Sequence, residues 1–233
     1  MNHINVTMKR LGLYILGLLF LSLGVSFSIQ ADLGVSPVSS LAYAFALASG
    51  FSVGTMTVVA NVLFISMQVI LSKLFNLREA IVQLVIVLLF GFFIDLTLFI
   101  VRLLPTPETL MMRGAFLLIS LFVVAVGLLG YFTAKYPLMP YDELTFVISK
   151  KFNKELSKAK ISSDLINVLV AGLVCIIFIQ SLGAVGIGTV VAAYFIGKVL
   201  GLFIKHYQKY LVNWMNKTKD NGKIQKENTG LSS

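Results

Sequence analysis

Charged side chains are scarce: Asp, Glu, Lys and Arg make up 12% of the 233 residues, where soluble domains carry about 25%. Cysteine is scarcer still. The one thiol, Cys175, sits inside an apolar run, so an intrachain disulfide is excluded and the side chain packs as a small apolar group. The two histidines, His3 and His206, both lie outside the apolar core. No His/Glu/Cys pattern has the spacing of a metal site, and no cofactor is expected. Nor is there a phosphate-binding loop. The Gly183, Gly186, Gly188 series leads into an apolar helix, follows no soluble strand and lacks the Walker lysine. Enzyme chemistry is therefore not expected, and ATP-driven transport would need a separate partner.

What is present is hydrocarbon. Hydrophobic residues make up 58% of the chain and the mean hydropathy is +0.91. Several runs approach or exceed the roughly 18 apolar residues that mark a membrane helix. This predicts an all-α polytopic membrane protein. The net charge of +9 is concentrated at Lys9 and Arg10, in 150–160, and from Lys205 onward. Short basic segments beside apolar runs are cytoplasmic loops by the positive-inside rule. Their placement argues against nucleic acid and for contact of the basic tail with anionic lipid. Lys9-Arg10 ahead of an apolar run resembles a leader peptide, but its internal copy after Arg113 cannot be one. An uncleaved first helix is the better reading.

The chain repeats itself. Residues 31–41, Ala-Asp-Leu-Gly-Val-Ser-Pro-Val-Ser-Ser-Leu, return in altered form as 134–144. An offset of 103 pairs Arg10 with Arg113, Gly24 with Gly127 and Pro37 with Pro140. After a three-residue insertion, an offset of 106 pairs Asn61 with Asn167 and Gly91 with Gly197. Agreement at two nearby offsets argues for a duplicated unit of about a hundred residues. Each copy of the signature is a polar, proline-centred break in apolar sequence, which must be buried in protein or line a wet cavity.

Spans are expected at about 11–31, 53–73, 80–101, 114–134, 162–181 and 187–206. Gly17, Gly24 and Ser28 share one face of the first, where a neighbouring helix can approach closely. Two short helices, 37–49 and 140–152, follow the signatures. A helix of about 13 residues rises only about 20 Å, too little for a core of about 30 Å. Each is therefore re-entrant or interfacial, with eight crossings as the alternative. The expected organisation is a first repeat at 1–104, a linker at 105–112, a second repeat at 113–208 and a basic cytoplasmic tail at 209–233, disordered from about 216. With three spans per unit, the second unit is inverted relative to the first, both termini are cytoplasmic, and a site near the midplane between the repeats is expected. Six helices around a small site would be compact, and a homodimer is compatible with this.

Four stretches carry a family resemblance: Ala-Asp-Leu-Gly-x-x-Pro at 31–37, Ser52-Val53-Gly54-Thr55, Gly91-x-x-Ile94-Asp95 and Gly186-Ile187-Gly188-Thr189. Together they resemble the YczE/YyaS/YitT family of bacterial integral membrane proteins, over about residues 9–205. The family pattern often has Trp-Asp after the first proline, where this chain has Val38-Ser39. Asp142, two residues beyond the second proline, supplies the acid missing at Ser39. The resemblance implies a fold and a bacterial plasma-membrane location rather than an activity.

The candidate binding residues are the polar groups inside or beside the apolar runs. Asn61 and Asn167 occupy matching places in equivalent helices, where amides either bind across helices or line a site. Asp95 and Lys198 are intramembrane ionisable residues, which face an interior or a cavity; they could pair, or Asp95 could carry a proton. Asp32, Ser36 and Ser39 cluster at the first short helix, with Ser36 as its N-cap and its positive end able to receive an anionic group. Tyr141, Asp142 and Glu143 put acids at the second, as dipole complements or as attractors of a cation or proton. These features predict a small-solute transporter or permease, compatible with ion coupling. The alternative is a non-transporting membrane partner of an export or biosynthetic complex, docking through 150–160.

Overall fold

The computed structural model describes residues 2–73 and 76–215, with side chains from residue 6. The described residues form eight α-helices and no strands. They are α1 (Asn2–Ala31), α2 (Pro37–Ser49), α3 (Val53–Ser72), α4 (Leu77–Arg102), α5 (Leu110–Thr133), α6 (Pro140–Lys151), α7 (Leu156–Ile179) and α8 (Ile187–Phe203). A π-helical turn, Ile204–Gln208, carries α8 into a further helical stretch, so that the last apolar helix runs Ile187–Met215. Six helices are long and apolar enough to cross a membrane, giving a multi-pass membrane architecture. The two short helices are not among these six spans.

Local chemistry sets the helix ends. Pro37 opens α2 and Gly50 closes it at φ 76°, donating its N–H to Ala46 O at 2.9 Å; proline at the start and glycine at the end is the expected asymmetry. Ser52, Asn76 and Thr109 cap α3, α4 and α5 through side-chain oxygens. Pro140 opens α6, with Asp142 and Glu143 in its first turn and Lys150 and Lys151 in its last, both complementing the helix dipole. Several boundaries differ from expectation. α1 begins at Asn2 rather than 11, α7 at Leu156 rather than 162, and residues 209–215 are helical rather than tail. Neither 2–9 nor 156–161 contains glycine or proline, so the backbone keeps its helix beyond the apolar run that marks the span. The tail from 216, expected to be disordered, lies outside the described residues.

Contacts come in matching pairs, some between the two sequence units and some within each. α2 packs on α7 and α6 on α3, while α1 packs on α4 and α5 on α8. α1 and α5 cross at small residues. A Cβ on Gly24 would lie 2.8 Å from Val124 N and 3.2 Å from Ser120 O; one on Gly127 would lie 2.5 Å from Leu21 N and 2.9 Å from Gly17 O. The offset of 103 pairs Gly24 with Gly127, Leu21 with Val124 and Gly17 with Ser120. Each contact is therefore the image of the other, as at a self-complementary two-fold contact. The core runs along this crossing and onto α4, with Leu18, Ile94 and Tyr131 essentially sealed. The match is incomplete: α3 packs closely against α4, whereas α7 and α8 make at most marginal contact.

Candidate functional site

Both signatures turn back into the bundle, so that the first turns of α2 and α6 meet inside it. An amide from the opposite unit holds each one. Asn167 of α7 donates from Nδ2 to Pro37 O at 2.6 Å, and Gln68 of α3 donates from Nε2 to Pro140 O at 2.7 Å. Gln83 of α4 donates to Gln68 Oε1 at 3.3 Å, which orients the second of these amides.

Between the two helix starts lies a cavity of about 40 Å3, lined by Ser39, Thr57, Asn61, Phe64, Tyr141 and Asp142 among others. Space for one water takes about 10–15 Å3, so this is room for a few water-sized groups. Phe64 and Tyr141 meet edge-on with centroids 5.1 Å apart. Asn61 is buried. Its Nδ2 donates to Thr57 O at 2.8 Å, while its Oδ1 has no partner.

Asp142 anchors a polar network. Tyr131 of α5 accepts the Met139 N–H at 2.6 Å and donates to Asp142 Oδ2 at 3.3 Å. Lys160 of α7 lies 3.7 Å from Asp142 Oδ1 and 3.3 Å from Asp164 Oδ1. Its ammonium sits 4.2 Å from the centre of the Tyr141 ring, and the Tyr141 hydroxyl donates to Asp164. Burial pushes the Asp142 carboxyl above its ordinary value, against the opposing pull of Lys160. Burial and the Asp164 charge raise the Tyr141 phenol.

Glu143 points elsewhere. It lines two adjoining grooves of about 610 and 510 Å3 between α3, α4 and α6, which share Asn76, Glu79 and Gln83. Burial, then the Glu79 charge, raises its carboxyl, with Lys150 opposing. The smaller groove separates Pro137 and Leu138 from the α4 start at Asn76 and Arg78. The equivalent place in the other unit is shut. There Val35 N donates to Ala184 O at 3.1 Å and Gly188 N to Leu33 O at 2.7 Å. Gly34, at φ 93°, allows this approach: a Cβ would stand 2.9 Å from Gly186 Cα.

Of the residues singled out from the sequence, Ser39, Asn61, Tyr141 and Asp142 line one cavity. Asn167 instead holds the start of α2. Ser36 occupies the N-cap position but makes no capping bond; its hydroxyl donates to Ser39 Oγ at 3.3 Å. Asp32 lies away from the cavity, exposed, paired with Arg113 at 3.0 Å. Asp95 accepts from Ser52 Oγ and Gly54 N, both at 2.7 Å, and so fastens α4 to the start of α3. Lys198 does not reach Asp95: it donates to Tyr194 OH at 2.5 Å on an exposed face. Gln68, Tyr131, Lys160 and Asp164 were not anticipated. Lys160 and Asp164 are spaced i, i+4 on α7, a pairing hidden because Lys160 fell in a stretch expected to be loop and Asp164 at the start of the expected span. Gln68 lies two turns beyond Asn61 on the same helix, a spacing that places both on one face. Among the described residues, no three His, Cys, Asp or Glu side chains gather as a metal-ligating group.

Comparison with known proteins relates the chain to uncharacterized bacterial proteins. The chain is 28% identical over 200 residues to the uncharacterized protein YyaS of Bacillus subtilis (strain 168), covering 86% of this chain and 94% of that one. It is 25% identical over 197 residues to an uncharacterized protein of Haemophilus influenzae, covering 84% of each. No solved structure matches significantly. The resemblance to YyaS expected from the signature motifs is borne out. Residues 8–205 match the family described as "Family of unknown function (DUF6198)", and the chain belongs to that family.

Proposed function

We propose that the protein is a small-solute transporter of the bacterial plasma membrane, built from two inverted units that rock against each other. One observation carries this reading: two equivalent joints are in opposite states. The 33–35 segment is locked to the 184–188 turn by two backbone hydrogen bonds, whereas its repeat image at 136–138 borders an open groove facing Asn76. One joint shut and one open is what alternating access by inverted repeats requires. Exchange of the two conformations between the units closes the groove and opens the opposite face. The reciprocal packing of α2 on α7 and α6 on α3 supports inverted repeats, because it makes the two states close to equivalent.

The larger groove, about 610 Å3, falls within the roughly 300–1,000 Å3 of small-molecule sites. Glu79, Glu143, Lys150, Asn76 and Gln83 give it both signs of charge and amides, which suits a small polar solute. With both termini cytoplasmic, the groove faces the cytoplasm and the closed joint faces outward.

Uptake and counterflow in proteoliposomes, against a panel of small polar solutes, test this reading. Saturable flux is expected. A second reading draws on the exposure of Lys150, Lys151, Lys154 and Lys158 at one end of the bundle, which could dock a partner. If no solute moves, and a protein co-purifies unless these lysines are neutralised, the transport reading fails in favour of a membrane partner.

A further inference from the structure

Asp142 and Asp164 share one ammonium. Lys160 Nζ lies 3.7 Å from the first carboxylate and 3.3 Å from the second. Two carboxylates against one lysine leave an excess negative charge, and the three side chains are only 22%, 24% and 35% exposed. The neighbouring groups do not neutralise it. Tyr131 of α5 and Tyr141 of α6 offer neutral hydroxyls to the two carboxylates. Tyr14 of α1 has its hydroxyl on Pro137 O, and Glu143 of α6 is a further acid, lining the groove. The facing residues of α3, Asn61 and Gln68, carry no charge. A partly desolvated carboxylate without full compensation favours its protonated form.

Asn61 supplies the independent observation. Its amide is 6% exposed. The Nδ2 bond to Thr57 O fixes which end of the amide is free, and that end, Oδ1, is an acceptor without a donor. A buried unpaired acceptor is costly. Asn61 and Asp142 line the same cavity, and the O–H of a protonated carboxyl there would supply such a donor, directly or across one water. At about 40 Å3 the cavity is far below the roughly 300 Å3 of a small-molecule site. A hard metal cation wants about six oxygen ligands, more than Ser39, Thr57, Asn61 and Asp142 bring.

We propose that the Asp142–Lys160–Asp164 cluster binds one exchangeable proton, held on the Asp142 carboxyl and directed to Asn61 Oδ1, and that this proton is the ion coupled to solute movement. The coupling rests on the transport reading; the proton site does not. The proton comes from water onto one Asp142 oxygen and later returns to water, with no other bond changed.

The reconstituted full-length protein, without solute, is examined by infrared difference spectroscopy between acid and alkaline pH. A carboxylic-acid C=O band is expected, titrating above the ordinary aspartate value. In a Glu143→Gln background, which removes that residue's separate raised carboxyl, the band is kept; Asp142→Asn then abolishes it and Asn61→Leu shifts its frequency. In Asp164→Asn it titrates at lower pH, because Lys160 then serves one carboxylate. Absence of the band in the wild type, or its persistence unchanged when Asp142→Asn is added to that background, overturns the proton site. Should Asp142→Asn not fold, an Asp164→Asn titration at the wild-type pH overturns it instead. Flux measured separately distinguishes the two ideas. The band without flux of any solute removes the coupling together with the transport reading and supports the site. Flux that ignores the proton gradient removes the coupling alone.

Discussion

Asn167 and Pro37 belong to different sequence units, yet the Asn167 amide donates to the Pro37 carbonyl at 2.6 Å and so holds the buried start of α2. Gln68 does the same for Pro140 at 2.7 Å. The two bonds are not equal in consequence. Removing Gln68 also takes away the acceptor of the buried Gln83 amide, 3.3 Å distant, whereas Pro37 O accepts a second side-chain bond from Ser40 Oγ at 2.8 Å. Gln68→Leu is therefore expected to destabilise more than Asn167→Leu. Interhelical bonds of this kind average about 0.6 kcal/mol and reach about 1.7. Gln68→Leu should approach the upper figure and Asn167→Leu the lower, in reversible unfolding from mixed micelles.

The α1–α5 crossing has no room for a side chain. A Cβ at Gly127 would meet Leu21 N at 2.5 Å, and one at Gly24 would meet Val124 N at 2.8 Å. Backbone cannot give way as the end of a flexible side chain can. Gly24→Ala and Gly127→Ala are expected to lower folded yield and thermal midpoint sharply. Gly197 and Gly114 have nothing within 4 Å. There alanine relieves the helix cost of glycine, about 0.5–1 kcal/mol, and the midpoint should hold or rise. Size-exclusion profiles and midpoints of the four variants check this.

Much of this architecture was legible because hydrocarbon forces it. The six spans, both short helices and the small-residue face of α1 follow from apolar run length, proline position and glycine spacing. Ser39, Asn61, Tyr141 and Asp142 were visible as polar residues in apolar surroundings. Their meeting in one cavity was implied by the repeat but not located by it. Lys160 was hidden because the basic stretch 153–161 reads as solvated loop, whereas α7 continues through it and sets Lys160 one turn before Asp164. Asp95 and Lys198 misled in the opposite direction. Rarity inside a span suggested partnership, but Asp95 serves as a clamp on the start of α3 and Lys198 turns to Tyr194.

Arg113 is awkward for the positive-inside rule, since six crossings put it outside. Its ion pair with Asp32 at 3.0 Å lessens that conflict, because the charge it carries there is locally matched. Single cysteines at Ser49, Asn76, Thr106 and Leu182, all exposed, test the arrangement in a Cys175→Ala background. An impermeant maleimide should label 49, 106 and 182 on intact cells, and 76 only after permeabilisation. Labelling of 76 on intact cells, with 49 and 106 protected, would mean eight crossings and no inversion.

Glu143 sets a pH dependence of known sign. Burial, and then the Glu79 charge, raises its carboxyl above the ordinary glutamate value, with Lys150 pulling the other way. The folded state thus holds the Glu143 proton to higher pH than the unfolded chain does. Between the two values the native state binds more protons, so stability falls as pH rises. The cost is absent below the unfolded value, about 4.3, and complete above the raised folded one. Glu143→Gln removes the titration. It should be more stable than wild type at neutral pH, with the gap closing as pH falls. Glu79→Gln should narrow the same gap by removing one source of the shift, while leaving burial in force. Thermal midpoints of wild type, both single variants and the double variant, measured across pH, check this. Parallel wild-type and Glu143→Gln curves would mean that Glu143 titrates as an ordinary surface acid.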